Sequence, residues 1–87
     1  MKVKDGFILR EVNKQPVVVS VGAASKIFHG MIKLNSTGAF LFEKLQKETS
    51  EEELVKALVK KYEVEEDVAK NDVKAFVDSL EKPGIIE

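Results

Sequence analysis

Two spacings of apolar residues divide the chain. Phe7, Ile8, Leu9 and Val12, and then Val17, Val18, Val19 and Val21, form short runs rich in β-branched and apolar residues, the composition of strands. Between them, Asn13-Lys14-Gln15-Pro16 reads as a four-residue hairpin loop, because Pro cannot donate to a sheet ladder. Residues 22–26 read as a loop. A third strand is predicted over residues 27–34, with a bulge or bend at Gly30, Ile32 and Leu34 on one face, and Met31 and Lys33 on the other.

From residue 35 the spacing turns helical. Asn35, Ser36 and Thr37 are candidate N-caps, and Gly38, Leu41, Phe42 and Leu45 recur at i, i+3, i+4 and i+7, predicting a helix to about Lys47. A capping box follows in either of two registers, Thr49 with Glu52 or Ser50 with Glu53. It opens a second helix with the buried stripe Leu54, Val55, Leu58, Val59 and Tyr62. The third helix is predicted over residues 65–82, with core stripe Ala69, Val73, Phe76, Val77 and Leu80, and Pro83-Gly84 ends it. Ile85-Ile86 is left as a brief strand or a cap on the core. The expectation is one α+β domain over residues 1–87: a three-stranded antiparallel sheet followed by three helices, the inventory of a winged-helix-like module.

Composition narrows the chemistry. The 87 residues contain no Cys and one His, His29, so there is no thiol nucleophile, disulfide or thiolate ligand and no His cluster. His29 itself reads as a strand or loop residue. The acids at 51–53 and 65–67 sit at predicted helix starts, where capping and the helix dipole account for them. No phosphate-cradling glycine motif occurs. A non-enzymatic protein without a cofactor follows. No signal-peptide core or membrane-length apolar run is present, which reads as a cytoplasmic protein without membrane contact.

The net charge of −1 hides an asymmetry. Residues 1–47 hold eight Lys/Arg against three Asp/Glu, whereas residues 48–87 hold six against twelve. In the third helix, six acids face three lysines, so a recognition helix placed against DNA would be repelled by phosphate. A winged-helix nucleic-acid-binding regulator is therefore the second reading, and a purely structural subunit of a larger enzyme a third.

Two features favour a peptide as the partner. On a helical wheel Val68, Asp72, Ala75 and Ser79 form a small, weakly polar strip beside Phe76, which reads either as the floor of a shallow groove or as a surface covered by the sheet. A three-stranded sheet also leaves edges that template an added strand. An extended peptide paired with Met31, Ile32, Lys33 and Leu34 would drop side chains toward that strip. Arg10, Lys26 and Lys33 would favour an acidic peptide, although ordinary solubility also accounts for them. Phe40 lies off the core stripe, either as a partner surface or packed under the hairpin.

These residues carry a resemblance. Residues 7–12 (FILREV), the run Met31-Ile32-Lys33-Leu34-Asn35-Ser36-Thr37-Gly38-Ala39 with Phe42 and Leu45, residues 49–54, Tyr62-Glu63-Val64, Asp72-Val73 with Phe76 and Leu80, and Gly84-Ile85-Ile86-Glu87 closely resemble the PqqD family. The most specific part is Leu-Asn-x-Thr-Gly-Ala with an aromatic three residues after Ala39, followed about thirty residues on by Asp-Val-x-x-Phe-x-x-x-Leu. Phe42 stands where related sequences usually hold Trp.

The resemblance implies a recognition element for ribosomally made, post-translationally modified peptides. Such a domain binds the leader of a precursor peptide and presents its core to a modifying enzyme, often a radical SAM protein. The leader adds to the third strand and lies against the third helix. Here those positions are Met31, Ile32, Lys33 and Leu34 with Val68, Asp72, Ala75, Phe76 and Ser79. Similar domains serve many peptides, so the resemblance implies this class of partner rather than pyrroloquinoline quinone synthesis in particular.

Overall fold

The computed structural model describes residues 1–26 and 30–87. Among them the order is β1 (Phe7–Val12), β2 (Gln15–Ser20), a 3₁₀ turn (Gly22–Lys26), β3 (Met31–Lys33), α1 (Ser36–Lys44), α2 (Glu51–Tyr62) and α3 (Glu66–Glu81). The strands form an antiparallel sheet in the order β1-β2-β3, with helices following, the α+β arrangement expected of a winged-helix-like fold. Residues 27–29, expected as the start of the third strand and including His29, lie outside the described residues.

The hairpin is tighter than its sequence suggests. Val12 pairs with Gln15, leaving a two-residue turn in which Asn13 and Lys14 both have positive φ, 51° and 66°. This is the geometry of a type I′ turn, whose twist matches that of the flanking strands. Gln15 and Pro16 therefore belong to β2 rather than to the loop. Pro16 is tolerated because antiparallel hydrogen bonding alternates: opposite Glu11 it needs no donor toward β1, and its missing N–H faces the end of β3. Val21 falls outside the strand, and its N–H donates to the Gly6 carbonyl at 2.7 Å. The predicted loop at residues 22–26 is wound into the 3₁₀ turn.

The starts of α1 and α2 show which of the candidate caps is used. The Asn35 side chain accepts from the Gly38 N–H at 2.7 Å, so Asn35 is the N-cap of α1. That helix ends at Lys44 rather than near Lys47. Ser50 caps α2 by accepting from the Glu53 N–H at 3.2 Å, while the Thr49 hydroxyl donates to the Glu53 carboxylate at 3.3 Å, selecting the second of the two registers. Glu63, in the left-handed region with φ 52°, stops α2. After α3, Gly84 with φ 81° donates to Glu81 and Ile85 donates to Leu80, the paired bonds of a Schellman ending.

The core lies between the inner sheet face and the helices. Phe7, Val18 and Leu34 meet Leu41, Phe42, Leu45, Leu54, Leu58, Val73, Val77 and Leu80, all buried. Ile85 and Ile86 cap this core, and Ile86 pairs with Val3 in an isolated antiparallel bridge. Val3 carries no local pattern of its own, since its partner is 83 residues away. Tyr62, expected inside, is 37% exposed and receives Phe40 edge-on with ring centroids 5.9 Å apart. Phe40 thus packs against the end of α2, a neighbour the hairpin expectation had not named.

Candidate peptide-binding edge and cleft

β3 is an edge strand, paired on one side with β2 through Val17↔Lys33, Val18↔Ile32 and Val19↔Met31. The Leu34 N–H donates to the Pro16 carbonyl at 2.9 Å, which fixes the phase of the ladder. Backbone bonds to β2 then fall on Leu34 and Ile32, so Met31 and Lys33 turn their N–H and C=O groups to the open side. Ile32 is half-buried against the core, whereas Met31 is 53% exposed and Lys33 exposed on the outer face. The predicted division of these four residues between two faces is the one observed.

The end of β3 is fastened by a side chain. The Leu34 carbonyl, deprived of the N–H that any residue but Pro would offer at position 16, accepts from Gln15 Nε2 at 2.6 Å. The same amide donates to the Pro16 carbonyl at 3.0 Å. The chain passes from Lys33 through Leu34 directly into Asn35, the cap of α1.

There the strand meets a cleft. Asn35, Thr37, Gly38 and Leu41 form one wall, and Asp72, Ala75 and Phe76 of α3 the other, enclosing about 360 Å³. The walls come close because Gly38 has no side chain: a Cβ there would lie 3.3 Å from Phe76 Cε1 and 3.2 Å from Asn35 Oδ1. Phe76 is half-buried, packed on the core with one side toward the cleft, so it serves as floor rather than as the fully buried core residue expected from its stripe.

The nine sequence-predicted positions distribute as follows. Asp72, Ala75 and Phe76 line the cleft, and Met31, Ile32 and Lys33 form the strand leading to it, with Leu34, expected in that strand, just past its end. Val68, one turn before Asp72, is 47% exposed on α3, a large apolar side chain left in solvent. Ser79 is exposed, and its hydroxyl donates to the Phe76 carbonyl at 2.6 Å, so it contributes a small surface rather than a free donor. The α1 wall was not assigned to the site, because Asn35 and Gly38 carry complete local explanations as cap and core residue. The signal was present in the Leu-Asn-x-Thr-Gly-Ala segment, which places a glycine where two helices approach.

A sheet edge that runs into a capped helix start, with a third helix across a narrow cleft, defines a winged-helix-like α+β module with an open strand template. The family described as coenzyme PQQ synthesis protein D (PqqD) matches over residues 8–86, and the chain belongs to that family. The fold is similar to that of TbiB1, solved in complex with the TbiA(beta) leader peptide, with TM-score 0.78, 20% identity, and 100% of this chain and 95% of that chain covered. It is also similar to a lasso peptide synthetase B1 complexed with the leader peptide, with TM-score 0.73, 24% identity and coverage of 97% and 93%. No curated protein matches the chain.

Proposed function

We propose that the chain, acting as a single domain over residues 1–87, is a non-catalytic recognition element for the leader of a ribosomally made precursor peptide. The observation that carries this reading is the continuity of the outward-facing backbone of Met31 and Lys33 with the cleft between Asn35–Leu41 and α3. An extended peptide pairs with the β3 edge through main-chain bonds, which are tolerant of sequence, and alternate side chains enter the cleft and lie along Asp72, Ala75, Phe76, Val68 and Ser79. The leader complexes of the two similar structures support the assignment.

Held this way, the unmodified core of the peptide is kept at high effective concentration near a modifying enzyme, of the radical SAM type or another class. The non-catalytic role is supported by a sequence without Cys and with a single His. No helix among the described residues is long and apolar enough to cross a membrane, in keeping with action in the cytoplasm. The nucleic-acid alternative is disfavoured because Glu66, Asp67, Asp72, Asp78 and Glu81 are all exposed on α3.

The test is a titration of isotope-labelled protein with the leader part of any short precursor peptide found in the open reading frames neighbouring this gene. Shift changes at Met31, Ile32, Lys33, Leu34 and along α3 are expected. Changes confined elsewhere would sink the assignment.

A further inference from the structure

Away from the β3 edge, two lysines converge on one ring. Lys44 Nζ and Lys61 Nζ each lie 5.4 Å from the centroid of Phe40, and Lys61 Nζ is also 5.8 Å from that of Tyr62. The two ammonium groups are therefore no farther apart than twice the first distance, each drawn to the electron-rich face of an aromatic ring. Neither has a carboxylate within ion-pair distance among the described residues, where the pairs are Met1–Glu48, Glu52–Lys56 and Glu66–Lys70.

The sequence explains why. Lys56 and Lys70 each follow a glutamate by four residues on their own helix, whereas the residue four before Lys44 is Phe40 and that before Lys61 is Ala57. Lysines near the C-terminal ends of α1 and α2 suit the helix dipoles, but Lys60 serves that purpose equally and touches neither ring. The dipole accounts for the residue type and not for the convergence.

The cluster lies on the same side of α1 as part of the cleft wall. Thr37 and Leu41, which line the cleft, and Phe40 and Lys44 occupy i, i+4, i+3 and i+7 of α1, one stripe on one side of that helix. A peptide leaving the cleft along this stripe arrives at two cations on an aromatic platform. We propose that Lys44 and Lys61, held on Phe40, form a subsite for a carboxylate side chain of the bound peptide. The proposal rests on the peptide-recognition reading and adds to it a preference for an acidic residue at one peptide position.

The test uses random linear peptides selected on the immobilised wild-type chain. For a recovered binder, each Asp or Glu is exchanged for Asn or Gln, and Kd is measured by fluorescence anisotropy against wild type, the Lys44→Gln/Lys61→Gln double variant and Lys60→Gln. One exchange is expected to weaken binding to wild type by about three- to fivefold, the size of an exposed charge pair, and to have no effect on the double variant. Lys60→Gln makes a charge change in the same turn as Lys61 but off the ring, and it retains the sensitivity.

Binders without any acidic residue, or exchanges that weaken wild type and double variant alike, would overturn the subsite while leaving peptide recognition standing. Peptides that bind the double variant as tightly as wild type would overturn it too, assigning the lysines to a carboxylate on another protein. Recovery of no binder would instead overturn peptide recognition itself. Circular dichroism of each variant verifies that the fold is retained.

Discussion

Gln15 Nε2 stands 2.6 Å from the Leu34 carbonyl and takes the place of the N–H that Pro16 lacks. One side chain thus closes the last rung between β2 and β3, at the point where β3 hands over to the cleft. Gln15→Ala removes this bond and leaves a part-buried carbonyl without its donor, at a cost of about 1 kcal/mol. Amide exchange at Leu34, whose N–H is bonded to Pro16, is expected to accelerate, with weaker peptide binding. Unchanged Leu34 protection would show that the rung is held by other means.

The hairpin turn holds the opposite kind of feature, a residue in a conformation it does not favour. Lys14 adopts φ 66°, which costs a non-glycine residue roughly 1–2 kcal/mol. Lys14→Gly creates the Asn-Gly pair preferred in type I′ turns, and part of that cost is recovered against the greater freedom of glycine in the unfolded chain. A net stabilisation of about 0.5–1 kcal/mol is expected in chemical denaturation. A loss of stability would contradict the assigned turn.

Gly38 tests the width of the cleft. Gly38→Ala places a methyl group 3.3 Å from Phe76 Cε1, so the ring must shift, while the helix gains up to about 1 kcal/mol in propensity. Stability therefore changes little and peptide affinity falls. Gly38→Leu overfills the contact and costs about 1–3 kcal/mol. Wild-type affinity in the alanine variant would show that the peptide does not pass this point.

The helical half of the fold was legible because each stripe is long and periodic: the inward residues of α1 and α2, apart from Tyr62, are those the spacing named. Tyr62 was misplaced because it sits on the last turn, where the chain turns away at Glu63. The sheet was less legible. Asn13-Lys14 lacks the glycine that marks a tight hairpin, and Pro16 read as loop because its compensation by Gln15 is a tertiary contact. For the site, an edge strand and a weakly polar helical strip could be read from pattern, whereas the α1 wall required knowing that Gly38 meets Phe76 across 38 residues of sequence.

A peptide that adds to β3 needs the outward N–H of Lys33, which Lys33→Pro removes. Lys33 faces Val17 in a pair without hydrogen bonds to β2, so proline there removes an outward donor and spares the ladder. The Met31 and Lys33 amides of the wild-type protein are expected to become protected from hydrogen exchange when leader peptide binds. Lys33→Pro is expected to keep a near wild-type melting temperature while affinity falls by about tenfold, the equivalent of about 1.4 kcal/mol. Undiminished affinity in a folded Lys33→Pro variant, with no protection of the Met31 and Lys33 amides in the wild-type complex, would contradict strand addition at β3.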